Sequence, residues 1–149
     1  MKESKHKYTL HLTEGQAKIL SYACNQFSRL ICGQDWSYQE LFETAWVKRC
    51  KEATGNFMDK QWDGGWYDMR HETEELCDRI KKRYWGLERN SMYGIGYSNT
   101  ADVLFDLHRV IRHQLWKDDE KHLTTTVDAE DPTSPIGDEP LAVIHPIKQ

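Results

Sequence analysis

Four segments of this 149-residue sequence carry apolar residues at spacings of three and four. Such spacings place side chains on one face of an α-helix, so each segment predicts an amphipathic helix. The predicted inward-facing residues are Ala17, Leu20, Cys24, Phe27 and Ile31; Leu41, Ala45, Trp46 and Cys50; Met69, Thr73, Leu76, Ile80 and Tyr84; and Leu104, Leu107, Ile111 and Leu115. The sequence therefore predicts a mainly α fold of about four helices in one compact domain.

Local signals at the ends of these segments predict where the helices begin and end. A polar side chain before a helix accepts a hydrogen bond from its first turn, and a glycine after it adopts the left-handed conformation that closes it. The predicted caps are Thr13 with Gln16, Ser37 with Glu40, and Ser98 or Asn99, and the predicted stops are Gly33, Gly55 and Gly86.

The first residues of the chain show a different period. Tyr8, Leu10 and Leu12 alternate with polar residues, a pattern typical of a strand that buries one face. We expect a short strand over residues 7–12, at the start of a helical domain that covers residues 1–117.

The composition changes after residue 117. Residues 118–149 contain eight acids, two lysines and all four prolines of the chain, which is too polar a mixture to enclose a core. We expect this segment to be an extended acidic tail. Its apolar end, Leu141, Val143 and Ile144, is expected to add a strand beside residues 7–12 or to dock on a second subunit. The second possibility predicts a homo-oligomer.

Charge and composition narrow the classes of function. The net charge is -4, whereas DNA-binding domains are usually basic, so nucleic acid is not the expected partner. The opening sequence MKESKHKYTLHL lacks the apolar run of a signal peptide, and we expect a cytoplasmic protein without a membrane span. The four cysteines form no C-x-x-C pair and no zinc-finger spacing. No metal or cofactor site is predicted.

The fourth predicted helix carries the clearest pattern for ligand binding. Phe105, Arg109, Arg112 and Trp116 follow one another at spacings of four, three and four, so they share one helical face. His108 and His113 flank this face. Arginine forks bind phosphate oxygens, and aromatic rings stack on bases. This face predicts a site for a nucleotide-like anion. The structural alternative is that the arginines pair with acids while the aromatic residues pack in the core.

Two further places would complete such a site. Asn90 and Tyr93 lie in the glycine-containing loop before the fourth helix, where they would read a ligand edge and stack on a base. Arg29 and Gln34 flank the glycine-terminated end of the first helix, where a polar pair lines a pocket or only bonds the terminal carbonyls. For the loop that contains Asn90 and Tyr93, the alternative is that it only connects two helices.

Paired acids support a rival, enzymatic hypothesis. Glu40 with Glu43 on the second helix, and Glu75 with Asp78 on the third, each place two carboxylates on one face. This arrangement resembles the E-x-x-E and E-x-x-D pairs of all-α, MazG-type nucleoside triphosphate pyrophosphohydrolases. The resemblance implies a Mg²⁺ site, with solvated helix faces as the alternative.

A series of short motifs runs along nearly the whole chain. They are LTEGQ from Leu12 to Gln16, Arg29 with Gly33-Gln34, NSMYG from Asn90 to Gly94, VIRHQLW from Val110 to Trp116, and GDEPL from Gly137 to Leu141. Together they resemble small accessory proteins encoded by phages and prophages of gut and soil bacteria. The resemblance implies an anti-defence protein of the host-cell cytoplasm, of the kind that sequesters nucleotide immune signals inside oligomers. It brings no catalytic residue with it.

Three hypotheses remain open. The first is a non-catalytic phage accessory protein that binds a nucleotide-like anion and sequesters a host immune signal. The second is a protein-interaction module that inhibits a host protein, and the third is a MazG-like pyrophosphohydrolase. The predicted ligand-binding residues are Arg29, Gln34, Asn90, Tyr93, Arg109, Arg112, His113 and Trp116.

Overall fold

The computed structural model describes residues 8–34, 36–119 and 131–145. Its α-helices are α1 (Glu14–Ile31), α2 (Trp36–Thr54), α3 (Gly65–Trp85) and α4 (Asn99–Asp118), with a 3-10 turn over Trp62–Gly64. The mainly helical fold predicted from the periodicity is confirmed. Within the described residues, none of these helices combines the length and the apolar character needed to cross a membrane.

Contacts along the chain divide it into two compact units. The first unit consists of Met1–Cys32 and Gly94–Gln149 and contains α1 and α4. The second unit, Gly33–Tyr93, contains α2, the 3-10 turn and α3. The boundary predicted after residue 117 stays a prediction, because residues 120–130 lie outside the described part of the chain.

Helix α1 begins as its capping box predicts. The Thr13 hydroxyl accepts the Gln16 backbone N–H at 3.2 Å, and the Gln16 side-chain oxygen accepts the Thr13 N–H at 2.9 Å. Gly33 and Gly86 follow helix ends with φ of 75° and 67°, in the left-handed region that glycine favours. Helix α4 has Ser98 as its N-cap residue, one of the two predicted there.

The predicted start of α2 is wrong by a small margin. The helix begins at Trp36, so residue 37 lies inside it. A side-chain pattern locates a helix start only to within one or two residues.

The predicted N-terminal strand is absent from the described residues 8–12. Tyr8 is 91% exposed and Leu10 is 71% exposed, so the alternating face is not buried. A strand needs a neighbour that pairs with its backbone N–H and C=O groups. Residues 141–144 do not supply one, because they form no strand themselves.

In the first unit, α1 packs antiparallel to α4 through small and polar side chains. The Ser28 hydroxyl donates to the Ala101 carbonyl at 2.8 Å. Seven residues before Ser28 on α1, Ser21 contacts His108, which lies seven residues after Ala101 on α4. The two helices therefore run in opposite directions. The buried residues on these two helices are Ser21, Cys24 and Ser28 of α1 and Ala101, Asp102, Asp106, His108, Ile111 and His113 of α4. This packing fixes the register of α4, which carries most of the candidate site.

The buried face of α1 differs from the predicted one. Phe27, predicted to face inward, is 56% exposed, whereas its neighbour Ser28 is buried. Serine usually lies at the surface, so apolar periodicity alone favours phenylalanine. Here the bond to a backbone carbonyl removes the penalty for burying the hydroxyl. On α2 and α3, four residues of the predicted inward faces are also exposed: Leu41, Ala45, Leu76 and Tyr84.

In the second unit, α2 and α3 meet around three tryptophans. The Trp46 ring lies edge-to-face against Trp62 and Trp66, with centroid distances of 5.2 Å and 5.7 Å. The Arg49 guanidinium lies 5.4 Å from the Trp62 centroid, a cation–π contact. Cys50 is fully buried nearby. Trp62 lies in the 3-10 turn and Trp66 in the first turn of α3. The segment that connects α2 to α3 therefore contributes to the core.

We expect replacement of Thr13 by alanine to destabilise α1, because the Gln16 N–H loses the hydroxyl that accepts it. Loss of an N-cap side chain lowers the free energy of unfolding by about 1 kcal/mol. Urea denaturation followed by circular dichroism measures this change. The control is Arg79→Ala, an exposed position within α3, where alanine leaves stability unchanged or slightly raised. Equal midpoints for wild type and Thr13→Ala would show that the cap contributes nothing.

Candidate functional site

Helix α4 carries four of the eight predicted ligand-binding residues. Arg109, Arg112, His113 and Trp116 lie at positions i, i+3, i+4 and i+7, so the helix brings them onto one face. The His113 and Trp116 rings are stacked, with centroids 6.0 Å apart and planes 18° apart. We call these four residues the α4 surface; Arg109, Arg112 and Trp116 are half-buried in it and His113 is buried. Two guanidinium groups, an imidazole and an indole therefore lie next to one another.

Arg109 is held by a buried carboxylate. Its Nη1 atom donates to Asp106 Oδ1 at 2.9 Å and lies 3.5 Å from the Ser134 carbonyl oxygen. The other oxygen of Asp106 accepts the backbone N–H groups of Ile136 at 2.7 Å and Gly137 at 3.0 Å. Arg109 therefore pairs with an acid, which is the structural alternative stated from the sequence. The same acid, Asp106, also holds the tail.

Arg112 contacts a histidine one turn earlier. Its Nη1 atom lies 3.3 Å from His108 Nε2, and His108 Nδ1 lies 3.0 Å from the Ser21 carbonyl oxygen. A guanidinium group only donates, so Nε2 is the acceptor and Nδ1 carries the hydrogen. Nδ1 faces the carbonyl oxygen and the hydroxyl of Ser21. Helix α1 thus sets the tautomer of His108, and His108 in turn helps to position Arg112.

Residues 131–138 of the tail, which we call the docked segment, lie along α4 of the same chain. At one end, the Asp138 N–H donates to the Asn99 side-chain oxygen at 2.8 Å. At the other end, Asp131 Oδ1 lies 3.6 Å from His113 Nε2. This part of the tail therefore binds its own helix, because α4 offers side-chain oxygens to its backbone N–H groups. Docking of the tail on a second subunit stays a prediction.

The middle of the docked segment is in close contact with α4. A Cβ atom added at Gly137 would lie 2.6 Å from Val103 Cγ2 and 2.9 Å from the Val103 backbone nitrogen. Real Cβ atoms do not approach other atoms so closely, and the helix backbone cannot easily move. Only glycine therefore fits at residue 137 while the segment is docked.

A second carboxylate anchors the loop that enters α4. The Gly96 backbone N–H donates to buried Asp102, whose two carboxylate oxygens each lie 3.1 Å from the Gly96 nitrogen. Nearby, burial raises the pKa of the Cys32 thiol, and the negative charge of Asp102 raises it further. Burial alone raises the pKa of the Cys24 thiol. Both thiols are thus held in the neutral form in the first unit.

Arg29 lies far from the α4 surface along the helix. Its neighbour Ser28 bonds to Ala101, and Arg112 follows Ala101 by eleven residues, which is about 16 Å along the axis. The Arg29 Nε atom donates to the Asn25 side chain at 3.0 Å. The structure therefore does not bring Arg29 together with Arg112.

The other three predicted residues, Gln34, Asn90 and Tyr93, belong to the second unit. The Tyr93 hydroxyl donates to the Trp85 carbonyl at 3.1 Å and so fastens its loop to the end of α3. Asn90 is exposed and Gln34 is half-buried. Their combination with the α4 surface in one site stays a prediction.

The paired acids of α2 and α3 have basic neighbours. Glu43 Oε1 lies 3.6 Å from Arg70 Nε, and Asp78 Oδ2 lies 2.9 Å from Arg89 Nε. Over the residues that the structure describes, no three or more His, Cys, Asp or Glu side chains are grouped so that they could hold a metal ion. The two acid pairs are therefore not gathered into one metal-binding group.

A surface cleft of about 480 Å³ opens beside the tryptophan cluster of the second unit. It is lined by Trp46, Asp63, Gly64, Asp68, Met69, His71 and Glu72. None of these is among the residues predicted to bind a ligand. Three of the lining residues are acids, so the cleft differs in charge from the α4 surface.

Sequence reasoning missed Asp106 and His108 as organisers of the α4 surface. Asp106 stands three residues before Arg109, a spacing that permits an ion pair, and this local signal was available. Its bonds to Ile136 and Gly137 carry no local signal, because the partners lie thirty residues away. The contact of His108 with Ser21 is likewise non-local.

No family model matches the chain, and no curated protein or solved structure matches it. The phage resemblance therefore rests on the sequence motifs alone.

Replacing Asp106 by alanine removes the acceptor of the Arg109 guanidinium and of two backbone N–H groups. Leaving a buried polar group unsatisfied costs about 1–3 kcal/mol. We expect the free energy of unfolding to fall by roughly 2 kcal/mol or more, and amide exchange to accelerate at residues 136 and 137. Chemical denaturation and hydrogen exchange measure the two effects.

The control is Asp131→Ala, because the Asp131 side chain is 69% exposed and its contact with His113 is long. A long contact whose carboxylate is mostly exposed contributes about 0–1 kcal/mol, so stability stays close to that of the wild type. Equal losses in the two variants would contradict the assignment of Asp106 as the anchor of the tail.

Proposed function

We propose that this chain is a non-catalytic binding protein whose α4 surface takes an anionic, nucleotide-like ligand. The main support is the placement of Arg109, Arg112, His113 and Trp116 on consecutive turns of one helical face. Guanidinium forks bind phosphate oxygens through paired hydrogen bonds, and an indole ring stacks on a base. Phosphate and base recognition are therefore available within about one and a half to two turns of helix.

The contacts that the α4 surface already makes are consistent with this proposal. Arg109 lies near the Ser134 carbonyl oxygen, and His113 lies near the Asp131 carboxylate. Both are acceptor groups, and one is negatively charged. The surface thus attracts the kind of atom that a phosphate group presents.

The motif resemblance supports a biological role for such a ligand. We propose that the protein acts in the cytoplasm of a phage-infected cell and sequesters a nucleotide that the host uses as an immune signal. In this role Arg109 and Arg112 hold phosphate and Trp116 stacks on a base. The roles of Tyr93 in stacking and of Asn90 in reading a ligand edge are part of the same proposal.

Ligand binding is tested by thermal-shift screening of the wild type with cyclic di- and trinucleotides and ADP-ribose derivatives, because a ligand that binds the folded state raises its stability. A charge-assisted hydrogen bond contributes about 1.5–3 kcal/mol. Arg112→Ala therefore weakens binding by about tenfold to a hundredfold. Arg112→Lys keeps the charge but loses the fork, so it recovers part of the affinity.

The matched control is Arg79→Ala, an exposed arginine on α3, which leaves ligand affinity unchanged. If no compound of the panel stabilises the wild type, the ligand proposal fails. If Arg112→Ala lowers the melting temperature of the free protein and no compound shifts it, Arg112 has only a structural role.

A second candidate function, a protein-interaction module, is favoured by an apolar stripe on α2. Tyr38, Leu41, Phe42 and Ala45 lie at helical spacing and are all exposed, Leu41 by 63% and Phe42 by 44%. Exposed apolar groups that share a face mark surfaces that bind another protein. The occupant that we propose for this stripe is a second copy of the chain.

A two-fold interface presents the same patch from both copies, so the stripe of one α2 can pack on the stripe of the other. This stripe is the contact that we propose for the homo-oligomer.

Light scattering of the full chain at micromolar concentration tests the second copy. We expect a dimer or a larger even-numbered assembly for the wild type and a monomer for Leu41→Glu, because a charge in the apolar contact is left without a partner. Ile95→Glu, at an exposed loop position, is the control and keeps the assembly. A monomeric wild type rules out the second copy and leaves a host protein as the partner for the stripe.

A further inference from the structure

We infer that the docked segment is a built-in competitor for the α4 surface, so that residues 131–138 and an anionic ligand exclude one another. This inference rests on the proposed function and adds to it a means of regulation. It states that the protein restrains its own binding surface and that release of the tail raises affinity.

The first argument is that the two partners share contact atoms. Arg109 Nη1 faces the Ser134 carbonyl oxygen at 3.5 Å, and His113 Nε2 faces Asp131 at 3.6 Å. Both distances are long for hydrogen bonds, so these contacts are weak individually and are easily replaced. A phosphate oxygen on either nitrogen would take the place of an atom of the docked segment.

The second argument is that Asp106 links the arginine to the tail. One carboxylate oxygen accepts from Arg109 and the other accepts from Ile136 and Gly137. A phosphate bound to Arg109 would lie close to this carboxylate, and two like charges at short range repel each other. Binding of the anion therefore draws Arg109 away from Asp106 and disturbs the carboxylate that anchors the docked segment.

The third argument is that docking depends on a precise fit. The approach of Gly137 to Val103 leaves no room for a Cβ atom, and the Asp138 N–H is bonded to Asn99. Neither Gly137 nor Asn99 belongs to the α4 surface. The docked segment can therefore be released by substitutions that leave every proposed ligand-binding residue in place.

The test uses the full chain, the variant Gly137→Ala and tripolyphosphate as an anionic probe. The added Cβ collides with Val103 and displaces the segment. Gly94→Ala is the matched control, because nothing lies within 4 Å of its added Cβ and its φ is not in the left-handed region. A second release variant, Asn99→Ala, removes the acceptor of the Asp138 N–H. Hydrogen exchange by mass spectrometry follows the segment, and calorimetry measures affinity for the probe.

We expect Gly137→Ala to raise amide exchange over residues 131–138 and to bind tripolyphosphate about tenfold more tightly, since affinity scales with the fraction of chains in the open state. Asn99→Ala changes both quantities in the same direction, and Gly94→Ala changes neither. In the wild type, adding tripolyphosphate raises exchange over residues 131–138.

Three results would overturn the inference, and they are distinguishable. Unchanged exchange in both release variants means that the segment is not held on α4. Faster exchange with unchanged affinity for the probe means that the tail does not compete, while the proposed function stands. Absence of probe binding by the wild type and by both release variants means that the α4 surface holds no polyphosphate for which the tail would compete. The proposed function fails with the inference only if the nucleotide panel also leaves the wild type unshifted.

Discussion

Antiparallel packing of α1 on α4 is the constraint on which the first unit depends. It is made by small side chains and by hydroxyl groups that find acceptors across the interface, as Ser28 does at Ala101. At the other end of the interface, Ser21 fixes the hydrogen of His108 on Nδ1, and His108 then presents its acceptor nitrogen to Arg112. A chain of contacts therefore runs from an ordinary helix pair to the residue proposed to hold phosphate.

What could be predicted from the sequence was local. The capping box of Thr13 and Gln16 and the stop at Gly86 depend on residues a few positions apart, and both are present in the structure. The shared face of Arg109 and Arg112 follows from helical geometry in the same way. Each of these predictions required only the periodicity of an α-helix and the chemistry of its ends.

What could not be predicted depends on distant partners. Whether Phe27 or Ser28 is buried is decided by a carbonyl on α4, more than seventy residues later, and the apolar pattern favoured the wrong residue. The role of Asp106 is decided by backbone N–H groups thirty residues away. The alternation at Tyr8 and Leu10 predicted a strand for which no partner is present among the described residues. Single-sequence patterns record which face is apolar, but they do not record what lies opposite.

The four cysteines give each unit its own chemical reporter. Cys24 and Cys32 are buried in the first unit, and Cys50 and Cys77 are buried in the second. Thiol reagents attack the thiolate, so steric shielding slows labelling of all four, and the raised pKa of Cys24 and Cys32 slows it further for these two. The rate at which each pair is labelled therefore records how often that unit opens. The native chain thus allows the local stability of its two halves to be compared without an introduced probe.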